Sequence, residues 1–300
     1  MSVPVPLPLP TFARESAPLP VTLESLRPRL ESLERESGAR ALSVAVYDTK
    51  TRLTFRHHAD RWFHAASTIK VAILLGVYSA IHDGWLVPHS RLHVRNRFRS
   101  AADGEPFRVG ADRDGNSEVH AAIGKMMLIG QLAHHMIATS SNLATNLLLD
   151  LVGLDTVQHA LDELGVQGID IRRGVEDERA YELGISNGVT ADGLVALLRV
   201  IAEERAYSPE LSRQMLDVLH AQEFKNGIPA RLPRDVRVAH KTGDISTVAH
   251  DAGIVYPPSR EPYVIAVLTE WDSDSSGRTA TIADASHAVY EVLTSEQADG

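Results

Sequence analysis

Apolar residues in the first part of the chain recur first at helical and then at strand-like intervals. Four leucines at spacings of three and four within residues 21–37 predict an amphipathic helix that stops near Gly38. Residues 41–47 and 53–57 are rich in β-branched and aromatic residues and flank a polar turn, which is typical of a hairpin. Residues 67–81 form an apolar stretch of helical length that is too short to span a bilayer, so we expect a buried helix.

The rest of the chain divides into a helical block and a strand-rich end. Residues 96–118 and 168–188 carry glycines and charges with little periodicity, so both are expected to be irregular. The predicted helices cover residues 129–139, 142–152, 155–164, 191–204 and 209–222, and the predicted strands cover 236–241, 248–256 and 263–270, before a closing helix over 279–294.

Strands near both ends of the chain are most simply joined in one sheet. We therefore predict an α+β fold in which an antiparallel sheet of about five strands is flanked by the terminal helices and carries an inserted all-helical lobe. Residues 21–66 and 223–300 would build the α/β lobe and residues 67–222 the helical lobe, after a disordered proline-rich tail over residues 1–20. A cleft between the lobes is the expected place for a site.

Composition narrows the class of partner. The 300 residues are 44% hydrophobic and carry a net charge of -9, which is typical of a soluble globular protein and argues against nucleic acid or an anionic membrane as a partner. The absence of cysteine excludes thiolate catalysis, disulfides and cysteine-ligated metals. Residues 1–20 lack the pattern of a signal peptide, so the sequence as written predicts a cytoplasmic protein. We expect a monomer that acts on a small molecule or peptide.

The first candidate for chemistry is the Ser-Thr-Ile-Lys segment that opens the predicted buried helix. Ser67 would lie in the first turn, with Lys70 three positions later on the same face. A buried lysine loses affinity for its proton and can act as the base for a neighbouring hydroxyl. This short motif occurs about once by chance in such a chain and also fits an N-cap serine followed by a solvated lysine. However, only five of the thirty basic residues are lysine, and guanidinium cannot deprotonate, which favours the base.

Two further short motifs follow. Lys-Thr-Gly at 241–243 ends a predicted strand, where an ammonium group, a hydroxyl and an open backbone would face the cleft together and suit a carboxylate substrate. It is expected by chance in only about one in fifteen chains. Ser-Ser-Asn at 140–142 lies between two predicted helices, where it also fits a plain helix N-cap.

The three motifs follow one another at spacings of 73 and 101 residues. S-x-x-K, S-D-N and K-T-G are the signature of class A β-lactamases and penicillin-binding proteins, and the chain resembles this family of penicillin-recognising serine hydrolases over most of its length. Residues 136–150 resemble the family's central helix pair. The resemblance implies a β-lactamase/transpeptidase-like fold, no cofactor, and a β-lactam or peptidoglycan-like peptide as substrate. It favours a periplasmic or secreted location over a cytoplasmic one.

The resemblance also implies a role for each matching residue. Ser67 would be acylated by the substrate carbonyl with Lys70 as its base, and Ser140 would pass a proton to the leaving nitrogen. The backbone N–H groups of Ser67 and Asp244 would form the oxyanion hole. Substrate binding would fall to the side-chain amide of Asn142 and, for the substrate carboxylate, to Lys241, Thr242 and Gly243.

Two positions depart from the family pattern. Ser141 replaces the aspartate of the middle motif, so we expect a changed hydrogen-bond network there. The family's deacylating glutamate stands four residues before an asparagine, whereas Leu183 holds that place before Asn187. Glu182, one residue out of register, is the candidate, and Asp177 is the alternative. The loop's carboxylates are Glu176, Asp177, Glu178 and Glu182.

Fourteen histidines invite a metal interpretation. The pairs at 57–58 and 134–135 are adjacent rather than three or four residues apart, so the two members of a pair cannot face one ion from a helix. We therefore expect structural roles and no metal. His240, next to Lys241, is a candidate for supporting the cleft.

Three functions remain open on the sequence alone. The first is a β-lactamase that acylates Ser67 and hydrolyses the acyl-enzyme with a loop carboxylate. The second is a DD-peptidase or esterase-like relative that penicillin would trap, which the displaced glutamate and the missing signal peptide favour. The third is a non-catalytic binding protein that keeps only the fold, and the complete motif set argues against it.

Overall fold

The computed structural model describes residues 23–295, so the tail predicted for residues 1–20 lies outside the described residues. In chain order the strands are β1 (Ala41–Asp48), β2 (Thr54–His57), β3 (Phe63–His64), β4 (Arg91–His93), β5 (Phe98–Arg99), β6 (Pro106–Phe107), β7 (Met126–Leu128), β8 (Ile169–Asp170), β9 (Gly188–Val189), β10 (Arg237–Ile245), β11 (Val248–Tyr256) and β12 (Tyr263–Glu270). The helices are α1 (Leu26–Ser37), α2 (Lys70–His82), α3 (Ser117–Ala121), α4 (Ile129–Ala138), α5 (Asn142–Val152), α6 (Leu154–Glu163), α7 (Glu178–Glu182), α8 (Ala191–Ala202), α9 (Pro209–His220) and α10 (Arg278–Ser295).

The long strands form one antiparallel sheet in the order β10–β11–β12–β1–β2. The predicted α+β fold with a five-stranded antiparallel sheet and flanking terminal helices is thus confirmed. All eight residues of β1 are buried, because helices cover both faces of the sheet at this position. A strand buried on both faces carries a continuous apolar run rather than an alternating one.

Two apolar cores lie on the two sides of the sheet. On one side α1 and α10 pack against it, and Leu26 and Leu30 of α1 are fully buried there. On the other side α8 lies against β1 and β12, and the core continues from the sheet into the helical block through α2. The division of the chain into lobes at residues 66/67 and 222/223 stays a prediction.

The structure differs from the predicted elements at two places that matter for the site. The predicted helix over 67–81 begins as a 3₁₀ turn (Ala66–Ile69), and the α-helix itself starts at Lys70. Strand β10 extends to Ile245 because its whole length pairs with β11, so the Lys-Thr-Gly motif lies within the strand and not at its end. No helix within residues 23–295 has both the length and the apolar character needed to cross a bilayer.

Burial of the α1 leucines predicts the effect of truncating them. Leu30→Ala removes a fully buried side chain from the core beneath α1 and should lower the free energy of unfolding by about 3 kcal/mol. Leu53→Ala is the matched control, because Leu53 is 59% exposed and should change stability by less than about 0.5 kcal/mol. Urea denaturation of the two variants measures both values, and similar losses would contradict the assignment of this core.

Candidate active site

Ser67 lies at the point where the chain enters the buried helix α2. It belongs to the 3₁₀ turn that precedes α2 and is half-buried, while Ala66 before it has a φ of 43°, in the left-handed region. Two adjoining cavities of about 280 and 350 Å³ open beside it, and both are lined by Ser67, Asn142 and Asp244. The serine therefore faces a cleft on two sides.

Lys70, the first residue of α2, is fully buried. Its Nζ donates to the carbonyl oxygen of Ser140 at 2.7 Å, to Ser140 Oγ at 3.0 Å and to Asn142 Oδ1 at 2.8 Å. Among the described residues its hydrogen bonds reach Ser140 and Asn142 rather than Ser67. Burial, and next the charge of Lys241, lower the pKa of Lys70 well below its ordinary value, while the Asp114 and Glu176 carboxylates oppose the shift.

The turn at 140–142 is held by a carboxylate that sequence reasoning missed. Ser141 caps α5 by accepting from Ala144 N at 3.1 Å, and Ser140 adopts a left-handed φ of 59°. Asp114, whose side chain is fully buried, accepts from the backbone N–H groups of Asn142 at 3.2 Å and Leu143 at 2.8 Å, which are the first two of α5. Asp114 also accepts from the Ser141 hydroxyl at 3.2 Å.

This arrangement explains the altered network expected from Ser141. The negative charge that the family's aspartate would carry at the start of α5 comes here from Asp114, 27 residues earlier in the chain. A carboxylate is stabilised at a helix N-terminus because it accepts from otherwise unpaired N–H groups. The local sequence carries no signal that Asp114 would reach α5, since the contact depends on how the 96–118 loop folds.

Strand β10 brings the Lys-Thr-Gly residues to the other side of Ser67. A Cβ added to Gly243 would lie 3.1 Å from the backbone nitrogens of Ser67 and Thr68, so glycine permits this close approach of the strand to the turn. Thr242 lines the larger cavity. Lys241 is fully buried and donates to the carbonyl of Thr242 at 2.9 Å, and burial lowers its pKa to about 7 against the opposing charge of Asp251.

Glu176, Asp177 and Glu178 line the smaller cavity, and Glu176 is the one of them that binds Asn142. Glu176 lines the smaller cavity together with Ser67. Its Oε1 accepts from Asn142 Nδ2 at 3.2 Å, and its Oε2 pairs with Arg113 Nε at 2.7 Å. Burial raises the pKa of Glu176, and the charges of Arg113 and Lys70 oppose that shift. Asn142 thus bridges the amine of Lys70 and the carboxylate of Glu176.

The structure does not bring Glu182, the candidate from the sequence, to the cleft. Glu182 is exposed at the end of α7 and lines neither cavity. Asp177 borders the smaller cavity, but its carboxylate is occupied by the Ser100 hydroxyl at 2.8 Å and by the Ala101 N–H at 2.8 Å, and it caps α7. Asp177 is therefore held in structural contacts, and Glu182 faces solvent.

Asn187, from which the register was counted, has a structural role at the base of the loop. Asn187 is buried and closes the base of the loop: its Oδ1 accepts from the N–H groups of Arg172 and Arg173, and its Nδ2 donates to the carbonyl of Arg173. Local sequence does not distinguish Glu176 from its acidic neighbours. Only the path of the loop decides which carboxylate faces Ser67.

His240, the candidate for supporting the cleft, lies in β10 next to Lys241. It is fully buried, and its Nδ1 lies 2.9 Å from Asp251 Oδ1. The same aspartate accepts from the Ile228 N–H at 2.8 Å and acts on the pKa of Lys241. Asp251 thus acts on Lys241 from within the sheet, and His240 contacts its carboxylate.

A serine and a buried lysine at the start of one helix, facing a cleft beside an antiparallel sheet, define a serine hydrolase of the penicillin-recognising class. The sequence model of the family described as "Beta-lactamase enzyme family" matches residues 25–293. The chain therefore belongs to this family, and it is a class A β-lactamase-like serine hydrolase.

Individual relatives agree with this assignment. A β-lactamase of Streptomyces fradiae is 29% identical over 276 residues, covering 89% of this chain and 85% of that protein. The crystal structure of a β-lactamase from Sphaerobacter thermophilus DSM 20745 matches with a TM-score of 0.76 and 26% identity over 91% of this chain and 98% of its own. An ancestral class A β-lactamase gives a TM-score of 0.76 and 27% identity over 89% and 99%.

The contacts of Asp114 predict the result of removing its charge. Asp114→Asn leaves the first N–H groups of α5 facing an amide and should lower the free energy of unfolding by about 1–3 kcal/mol. Displacement of the Ser140 turn should slow labelling by a fluorescent penicillin by roughly 10-fold or more.

A reciprocal variant separates this role from general destabilisation. Ser141→Asp in the Asp114→Asn background returns a carboxylate to the start of α5 and should recover much of the labelling rate, whereas Ser141→Asp alone places two carboxylates together and should be harmful. Additive losses in the double variant would contradict the proposed replacement.

Proposed function

We propose that this hydrolase opens β-lactam rings through an acyl-enzyme on Ser67, with Lys70 as the base. The observation that carries the proposal is the continuous set of contacts beside Ser67, in which Lys70 binds both Ser140 and Asn142 and Asn142 in turn binds Glu176. Neutral Lys70 takes the proton of the Ser67 hydroxyl as its oxygen attacks the lactam carbonyl. The proton then passes to Ser140 Oγ, 3.0 Å from Lys70 Nζ, and on to the leaving nitrogen as the C–N bond breaks.

The oxyanion and the substrate carboxylate would be held from β10. The close approach of Gly243 to Ser67 supports placing the backbone N–H groups of Ser67 and Asp244 around the developing oxyanion. Thr242 borders the larger of the two cavities beside Ser67, and Lys241 supplies the positive charge that a substrate carboxylate needs. Asn142, whose amide now bridges Lys70 and Glu176, would bind the substrate's side-chain amide.

Glu176 would activate the water that hydrolyses the acyl-enzyme. It borders the cavity of Ser67, and its pKa is raised by burial, as suits a general base. The alternative, a penicillin-binding relative that deacylates slowly, also has an observation in its favour. The guanidinium of Arg113 pairs with Glu176 at 2.7 Å and competes with water for the carboxylate.

A chromogenic cephalosporin assay combined with intact-protein mass spectrometry tests the two alternatives. The proposal expects multiple turnovers by the wild-type protein and no adduct in Ser67→Ala. Glu176→Gln should accumulate a long-lived acyl adduct, with turnover reduced by roughly 100-fold or more, because the base is lost while acylation continues.

Glu182→Gln is the matched control, since this exposed carboxylate should leave turnover unchanged. A stable adduct on the wild-type protein would support the slowly deacylating alternative instead. Equal turnover in Glu176→Gln and wild type would overturn the assignment of Glu176.

The two buried lysines predict a bell-shaped pH profile. Lys70 must be neutral to accept a proton, so activity rises as pH passes its lowered pKa. Lys241 must be charged to hold a carboxylate, so kcat/KM for a carboxylate-bearing β-lactam should fall above a pH of about 7. In Lys241→Arg the alkaline decline should disappear because guanidinium stays charged, and its persistence would show that another group titrates there.

The substrate, oligomeric state, cellular location and partners of the enzyme stay predictions. A β-lactam substrate is supported by the family, whereas peptidoglycan-like peptides belong to the slowly deacylating alternative. The monomeric state, the cytoplasmic or exported location and the absence of nucleic-acid and membrane partners remain expectations from the sequence.

A further inference from the structure

Two histidines and a glutamate meet at the edge of the sheet formed by β2, with the full width of the sheet between them and β10. Regular pleating would send His57, the last residue of β2, and His58 to opposite faces. His58 has a φ of 49°, in the left-handed region, which ends the alternation. The two imidazole rings instead lie side by side, with centroids 4.4 Å apart.

Glu34 of α1 completes the group. Its Oε1 accepts from the Leu42 N–H at 3.0 Å, which fixes the carboxylate, and its Oε2 lies 3.4 Å from His57 Nε2. One ligand atom from each of Glu34, His57 and His58 lies within 4.8 Å of the others. The carboxylate is oriented by a backbone contact, as is usual for metal ligands.

His57 Nε2 is the least satisfied atom of the group. The side chain is only 2% exposed, and this nitrogen has no hydrogen bond of good geometry, its nearest acceptor being the glutamate at 3.4 Å. Buried polar atoms usually have a partner, and leaving one without costs free energy. Two ligands bound at about 2.0–2.1 Å to one tetrahedral ion are themselves about 3.4 Å apart. The observed separation is too long for a good hydrogen bond and matches two ligands that share an ion.

We propose that Glu34, His57 and His58 bind one zinc-type divalent transition-metal ion, with water in the remaining position. Two imidazoles and one carboxylate suit Zn²⁺, whereas Ca²⁺ and Mg²⁺ prefer oxygen ligands. The expectation that adjacent histidines cannot share an ion holds for a helix face. It does not hold where a strand ends in a left-handed residue.

The carboxylate of Glu34 supplies the negative charge that a cation needs. The guanidinium of the nearby Arg27 is paired with Glu24 at 3.0 Å and donates to the carbonyl of Arg56 at 3.4 Å.

The ion would join the N-terminal helix to the edge of the sheet. Glu34 belongs to α1 and His57 to β2, which are separate along the chain. Ser67 borders β10, and β10 lies four strand spacings or about 19 Å from β2, so metal binding should act on stability and leave β-lactam turnover unchanged. The inference is thus independent of the proposed function.

Calorimetric titration of tag-free, chelator-stripped full-length protein with Zn²⁺ tests the inference. We expect one saturable equivalent for the wild type, and a Kd at least tenfold higher in both His58→Ala and Glu34→Gln. His58 is exposed and Gln can keep the Leu42 contact, so both variants should fold. Zn²⁺ should also raise the Tm of the wild type in a concentration-dependent way, but not that of His58→Ala.

His89→Ala is the matched control, since it removes an exposed histidine on another part of the surface and should bind Zn²⁺ like the wild type. No saturable binding to the wild type, or equal affinity in His58→Ala, would overturn the site. A loss of affinity in His89→Ala as large as in His58→Ala would place the metal elsewhere and overturn it equally.

Discussion

The chemistry of the cleft depends on taking one amine out of water. Lys70 is enclosed on the first turn of α2, where burial and the nearby charge of Lys241 make its charged form costly. The carbonyl of Ser140, its hydroxyl and the amide oxygen of Asn142 accept from Lys70 Nζ, so three acceptors hold the ammonium group in one orientation. In the proposed mechanism this enclosure makes Lys70 a base and brings Ser140 within reach of the proton.

The positive charges of Lys70 and Lys241 repel each other when both are buried. Nearby carboxylates offset this repulsion. Asp114 lies at the start of α5 and Glu176 beyond Asn142, and both favour the charged form of Lys70. Arg113 in turn pairs with Glu176. In the proposed mechanism the balance among these charges decides how readily Glu176 accepts a proton, and so whether the acyl-enzyme is hydrolysed or persists.

The two edges of the sheet have different roles. At one edge, β10 passes so close to the Ser67 turn that a Cβ at position 243 would lie 3.1 Å from the backbone nitrogens of Ser67 and Thr68. At the other edge, β2 ends at His57 beside Glu34 of α1, and the proposed ion would tie the helix to the strand. The central strands β1 and β12 are buried on both faces, so they hold the two edges of the sheet at a fixed distance from each other.

Periodicity and motif order were enough to predict the α+β architecture, the serine hydrolase class and the grouping of Ser67, Lys70 and the 140–142 turn. These depend on local spacing: apolar intervals specify helices and strands, and a separation of three residues places two side chains on one helix face. Tertiary structure alone decided that Asp114 replaces the missing carboxylate at Ser141 and that Glu176, rather than Glu182, faces the cleft. Both choices depend on the path of irregular loops, whose conformation comes from long-range contacts such as those of Asn187 and not from any repeat along the chain.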